Sequence, residues 1–153
     1  VTIDTPLLRA AFDDLIRVET VIWDEIDSRM RAECNTPLSR FEPMAVIASS
    51  EQCRVSDVAD QLSITMGGAS KLVERIRADG LCERRPNPSD RRSWFFRLTS
   101  RGTEVLAEAQ RVFDLAVHDV LGTRIDERRL RELAGLLNDL RHASTNDRKG
   151  HAA

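Results

Sequence analysis

VSDVADQLSITMGGASKLVERIRADGLCERRPNPSDRRSWFFRLTSRG, residues 55–102, decides the fold. Ser56 is a good N-cap for a short helix over 57–62, whose apolar side is Val58, Ala59 and Leu62. Ser63-Ile64 is a turn short enough to set two helices at a steep angle. Thr65 caps the second helix, which runs to about Asp79 and stops at Gly80. Its inner side is Ala69, Leu72, Val73 and Ile76, and its outer side is Met66, Gly67, Ser70, Lys71, Glu74 and Arg75. Residues 81–85 and 93–98 then read as paired strands, the second rich in aromatics. Between them, residues 86–90 are turn chemistry that cannot continue a ladder, and the tip presents Asp90, Arg91 and Arg92. The order is a helix-turn-helix followed by a hairpin wing. A one-bridge strand is expected at Arg54-Val55.

Outward from this stretch the pattern is helical. Before it, Leu8, Phe12, Leu15, Ile22, Ile26 and Met30 recur at helical steps from residue 7 to about 31, and Leu7, Ala11, Ile16, Val18 and Val21 widen the stripe. Trp23 lies off the stripe's centre and reads either as a packing anchor or as the wall of a ligand cleft. Asn35-Thr36-Pro37 breaks the helix, and Ser39 with Glu42 forms a capping box for the next, with Met44, Ile47 and Ala48 inward. After the wing, Thr99 caps a long helix through about Val120 that Gly122 ends. Asp126 caps the last helix, along which Leu130, Leu133, Leu137 and Leu140 recur; a polar tail follows.

The fold class expected is mainly α with a small β-hairpin wing (α+β). Residues 38–99 form a winged helix-turn-helix, residues 1–34 and 100–145 supply dimerisation helices, and 146–153 is a flexible tail. The small centre cannot cover the apolar stripes of the flanking helices, so pairing with a second copy is the way to bury them.

Charge is unevenly spread. The chain carries a net −2, yet from Arg54 to Arg101 there are ten Lys/Arg against six Asp/Glu, a net +4 that leaves −6 on the rest. A basic centre between acidic ends is the footprint of a protein whose middle meets phosphates. Arginines at a narrow hairpin tip suit the minor groove, where the negative potential deepens. Gly67-Gly68, in the first turn of the outer helix, has two accounts. Either the bare backbone approaches a phosphate, or the glycines allow tight packing within the protein.

Other classes find less support. Cys34, Cys53 and Cys82 are odd in number and widely spaced, which suits neither a disulfide framework nor a zinc site. His118, His142 and His151 make no metal-ligand spacing, and no nucleophile or phosphate-loop motif is present, so neither an enzyme nor a cofactor is expected. No apolar run reaches a membrane span and no leader pattern opens the chain, which predicts a cytoplasmic protein without a membrane partner.

Taken together, V-S-D-V-A-D-Q-L-S-I-T, S-K-L-V-E-R-I, A-D-G-L-C-E-R-R-P-N-P-S-D-R-R and the L-T-S-R-G exit resemble the MarR family of bacterial winged-helix regulators. The resemblance implies a homodimer that binds double-stranded DNA at an inverted repeat, usually as a repressor released by a small aromatic effector. It implies that the helix opening at Thr65, Met66, Gly67 and Gly68 meets the DNA backbone, with Ser70, Lys71 and Arg75 on the major-groove face. Asp90 and Arg92 match the family's D-x-R tip, with Arg91 beside them. Gly-Gly departs from the commoner side chains at the helix opening. An effector pocket between dimer helices and reading head would involve Trp23. Two alternatives remain: a winged helix used only for protein contacts, and an oxidant sensor acting through a cysteine.

Overall fold

The computed structural model describes residues 4–90 and 92–150, the last seven of these by backbone alone. The chain divides into two compact units, Val1–Ala116 and Val117–Ala153. In the first, α1 spans Thr5–Cys34, α2 Leu38–Ala48, α3 Val55–Gln61 and α4 Met66–Ala78. A hairpin of β1 (Cys82–Pro86) and β2 (Trp94–Leu98) follows, and then α5 begins at Ser100. This is the expected mainly helical chain with a small antiparallel wing.

One core holds α2, α3, α4 and the hairpin together. Met44, Val46 and Ile47 of α2, Val58 of α3, Val73 and Ile76 of α4 and Phe96 of β2 are all buried in it. The inward face of α2 is Met44, Val46 and Ile47, whereas Ala48, expected inside, is exposed because the helix ends there and turns away.

Two helix starts differ from expectation, one for a tertiary reason and one for a local reason. The Ser39–Glu42 box does not form. α2 begins one residue after Pro37, and its first backbone N–H, Leu38, donates to the Asp27 carboxylate of α1 at 2.7 Å. α3 starts at Val55 rather than after Ser56, because the Asp57 carboxylate accepts the Arg54 backbone N–H at 2.7 Å. The isolated bridge pairs Cys53 with Phe96, one residue before the expected strand.

The exit from the wing is locked by three bonds at once. Thr99 donates its backbone N–H to Leu81 O (3.0 Å) and its hydroxyl to Gly80 O (2.8 Å), while its Oγ1 accepts from Gly102 N–H (3.0 Å). A Cβ at Gly102 would lie 1.9 Å from the Leu81 carbonyl oxygen, so only glycine fits. The L-T-S-R-G run is therefore a joint that fixes where α4 ends, where the hairpin returns and where α5 leaves.

α5 is regular from Ser100 to Val117, and a π-helical turn over His118–Gly122 replaces the α-helix expected through Val120. Gly122 ends that turn, with a Cβ there 3.3 Å from the His118 ring. In the second unit, Asp126 caps α6 (Glu127–Gly150) by accepting the Arg129 N–H at 3.0 Å. Of the tail expected at 146–153, residues 146–150 continue α6 and 151–153 lie outside the described residues.

Candidate nucleic-acid interface

α4 presents two unlike sides. Ala69, Val73 and Ile76 are buried, and Leu72 is half-buried; Ser70, Lys71 and Arg75 are exposed on the opposite side. Thr65 caps the helix as expected, its hydroxyl accepting the Gly68 N–H at 3.1 Å. Gly80, at φ 72°, closes the other end in the left-handed region that glycine enters without penalty. Among the described residues neither Lys71 nor Arg75 has a carboxylate within ion-pair distance, whereas Arg77 is tied to Glu74 at 2.8 Å. The Arg77 hydrogen bond holds the Glu74 carboxyl below its ordinary range, so this acid stays charged beside the two free cations.

The two glycines at the helix start have different surroundings. A Cβ built on Gly67 meets nothing within 4 Å. One on Gly68 meets the capping Thr65 Oγ1 at 3.3 Å and the Ile64 side chain at 3.9 Å. Packing within this chain therefore gives no reason for glycine at 67. Met66, beside it, is 54% exposed.

The wing is tied off by side chains of its own loop. The register runs from Cys82↔Leu98 to Pro86↔Trp94, so Pro86 joins the ladder at its last rung, where its missing N–H costs no bond inside the hairpin. Asn87, 3% exposed, is the buried polar residue on which the tip is built. Its side-chain oxygen accepts Ser89 N–H at 2.9 Å and its amide donates to Ser93 Oγ at 2.7 Å. Sequence reading grouped Asn87 with general turn chemistry; the signal was an Asn flanked by two prolines, which points to a specific amide and not merely to a break.

The Asp90 carboxylate accepts the Arg92 backbone N–H at 3.0 Å, bending the chain so that Arg92 is delivered to the exposed tip. Arg91 lies outside the described residues. α4 and the hairpin thus bring Ser70, Lys71, Arg75 and Arg92 to the surface of one compact unit, all exposed.

Trp23 stands apart from this face. It is half-buried on α1 beside Glu19, Thr20 and Asp24 of its own helix, in an open depression of about 220 Å³. A larger hollow, about 350 Å³, opens where Cys34, Arg40, Asp79, Arg101 and Glu108 converge, with Arg40 and Asp79 paired at 2.8 Å. No single stretch of sequence pointed to it, because its walls come from four elements.

The three thiols differ. Cys53 and Cys82 are buried and burial pushes each up to about 11, which leaves almost no thiolate near neutral pH. Cys34 is half-buried and donates to Met30 O at 3.1 Å. Among the described residues no three His, Cys, Asp or Glu come together as a metal site, and no helix is long and apolar enough to cross a membrane.

Comparison with known proteins shows what this arrangement is similar to. Residues 44–93 match the family model described as MarR family. The transcriptional regulator BilQ of Clostridioides difficile (strain CD3) is 28% identical over 67 residues, which are 44% of this chain and 45% of that relative's length. Among solved structures, Sco3205 of Streptomyces coelicolor, a MarR family regulator in complex with DNA, shares 22% identity and a TM-score of 0.81. That alignment covers 92% of this chain and 89% of Sco3205. AbsC, a second MarR family regulator of S. coelicolor, aligns with 19% identity and a TM-score of 0.83, covering 95% of this chain and 99% of its own. The chain thus resembles the MarR family in sequence over residues 44–93, and it shares the fold of solved MarR family regulators over nearly its whole length.

Proposed function

We propose that the protein is a transcriptional regulator that binds a specific double-stranded DNA site as a homodimer. The observation that carries this reading is the exposed face of α4, where Ser70, Lys71 and Arg75 stand without carboxylate partners among the described residues, in the same unit as the arginine-tipped wing. Lys71 and Arg75 are long donors suited to guanine edges or phosphates, and Ser70 is a short one. Thr65, Met66, Gly67 and Gly68 open the helix toward the backbone, with the open space over Gly67 leaving its amide approachable. Arg92, and Arg91 beside it, would enter the minor groove, with Asp90 fixing the tip.

Dimerisation is supported by what α1 leaves uncovered. Leu7, Leu8, Phe12, Leu15, Ile16, Val18 and Val21 are all about half exposed or more, a continuous apolar stripe of the kind that marks an interface. In the second unit, Leu136, Leu137 and Leu140 of α6 are exposed likewise. Residues 1–34 and 100–145 are the dimerisation region on this reading. A two-fold dimer would set its two reading heads about one DNA turn apart, roughly 34–36 Å, and so require an inverted repeat.

Repression relieved by a small aromatic effector completes the reading. The hollow lined by Arg101 offers a guanidinium group to an acidic ligand, and the separate depression at Trp23 an aromatic wall. The high thiol pKa of Cys53 and Cys82 favours this over an oxidant sensor, and a module for protein contacts alone would not need the unpaired cations.

The test is selection of duplexes from a random library by the purified protein, followed by binding across a salt series. An enriched inverted repeat, with affinity falling steeply as salt rises, is the expected result. A folded dimer that enriches nothing at low salt overturns the reading.

A further inference from the structure

We infer that Arg84, laid over the indole of Trp94, is a second DNA-backbone contact of the wing, set between the recognition helix and the tip. This rests on the DNA-binding reading above and extends it to residues that neither the helix face nor the D-x-R tip includes.

The wing carries four described arginines, and their partners sort them. Arg85 is paired with Glu83 at 2.8 Å and Arg97 with Glu51 at 3.8 Å. Arg84 and Arg92 have no carboxylate within ion-pair distance among the described residues. Arg84 instead places its guanidinium carbon 4.7 Å from the centre of the Trp94 ring. Such a stack fixes a planar cation without consuming its hydrogen-bonding edges, so its N–H groups stay available to phosphate oxygens.

The register says which way the pair faces. Arg84 is opposite Phe96, and Trp94 is two residues before it, so all three lie on one face of the hairpin. That face is the one Phe96 buries in the core beneath α4. The Glu74 carboxyl on α4 accordingly feels the Arg84 charge. Trp94, on the last rung before the tip, is 39% exposed, although burying it would gain more than burying any other side chain of the hairpin. An aromatic ring left at the surface under an unpaired arginine is a stacking platform. A recognition helix in the major groove and a wing tip in the neighbouring minor groove have one sugar-phosphate strand between them, and Arg84 stands where that strand runs.

Arg84 is the contacting residue and Trp94 the positioning one. The probe is the duplex recovered by selection, and the readout is the slope of log affinity against log salt for the full chain. Arg84→Gln is expected to flatten the slope by about one per protomer, about two per dimer, with an unchanged sequence preference. Trp94→Leu should weaken binding several-fold, Trp94→Phe should restore it, and adding Arg84→Gln to Trp94→Leu should cost less than Arg84→Gln alone. Arg97→Gln, which removes an already paired charge, should leave the slope as it is. An unchanged slope in Arg84→Gln, while Arg92→Gln flattens it, overturns the inference and leaves the DNA-binding reading standing. Equal flattening by Arg97→Gln also overturns it, since net charge alone would then be at work. Failure of the unaltered protein to bind any duplex overturns the reading and this inference together.

Discussion

α1 and α4 are both amphipathic helices, and they turn opposite sides outward. α4 buries Ala69, Val73 and Ile76 in its own unit and leaves Ser70, Lys71 and Arg75 in water. α1, with 30 residues, buries only Ile26 and Met30, both near its C-terminal end, while Phe12 is 64% and Leu7 61% exposed. The first arrangement is complete within one chain and presents cations; the second is unfinished and presents hydrocarbon. A polar outward face suits a polyanion, which comes and goes with salt. An apolar outward face over four turns suits a partner that stays, and a second copy of the same stripe is the simplest one.

The sharpest way to break this comparison is to put a charge in the middle of the α1 stripe. Phe12→Asp changes the interface twice in a two-fold dimer, and each buried aromatic contributes about 1.5–3 kcal/mol, so dimer stability should fall by roughly 3–6 kcal/mol. Sedimentation over a concentration series would show a monomer appearing at micromolar protein, and far-UV dichroism should show the helices retained. An unaltered association constant would mean that α1 is covered by something else or by nothing.

Gly102→Ala attacks the other side of the comparison, the self-sufficiency of the winged unit. The added Cβ would sit 1.9 Å from the Leu81 oxygen, a backbone atom that cannot swing away without releasing Thr99 from Gly80 and Leu81. A loss of about 2–3 kcal/mol in urea unfolding is expected, as for overpacking at a rigid site. Losses under about 0.5 kcal/mol, within the scatter of surface substitutions, would show that the α4–wing–α5 joint is looser than its bonds imply.

The two regions also differ in how openly the sequence announces them. Around α4 the signals are local: Thr65 lies three residues from the N–H it caps, Gly80 is where the left-handed turn falls, and Thr99 reaches Gly102. A reader of the sequence finds each within one helical turn. The start of α2 was misread because its cap, Asp27, is eleven positions upstream on another helix, and no local pattern reveals that. The same holds for the Cys53–Phe96 bridge, for the hollow at Arg40 and Arg101, and for Arg84 over Trp94, which the register creates and composition does not. The apolar stripe of α1 was legible, but what covers it is not written in one chain. Asp27→Ala tests the long-range cap: about 1 kcal/mol should be lost, as at other helix N-termini, and backbone amide exchange at Leu38 should rise first.

The smallest expected effect is the most discriminating about α4. Gly67 has open space where a Cβ would go, and helical alanine is favoured over glycine, so Gly67→Ala should stabilise the free protein by at most about 1 kcal/mol. If glycine is there for its own fold's sake, DNA affinity should be unchanged or slightly better. If the bare backbone meets the sugar-phosphate chain, the added methyl occupies the gap, and affinity should fall several-fold while the melting temperature rises. Opposite signs in the two measurements place the reason for Gly67 outside the protein, on the partner that α4 faces. Matching signs would return it to mere tolerance at a helix end, and would remove the helix opening from the interface while leaving Lys71, Arg75 and the wing in it.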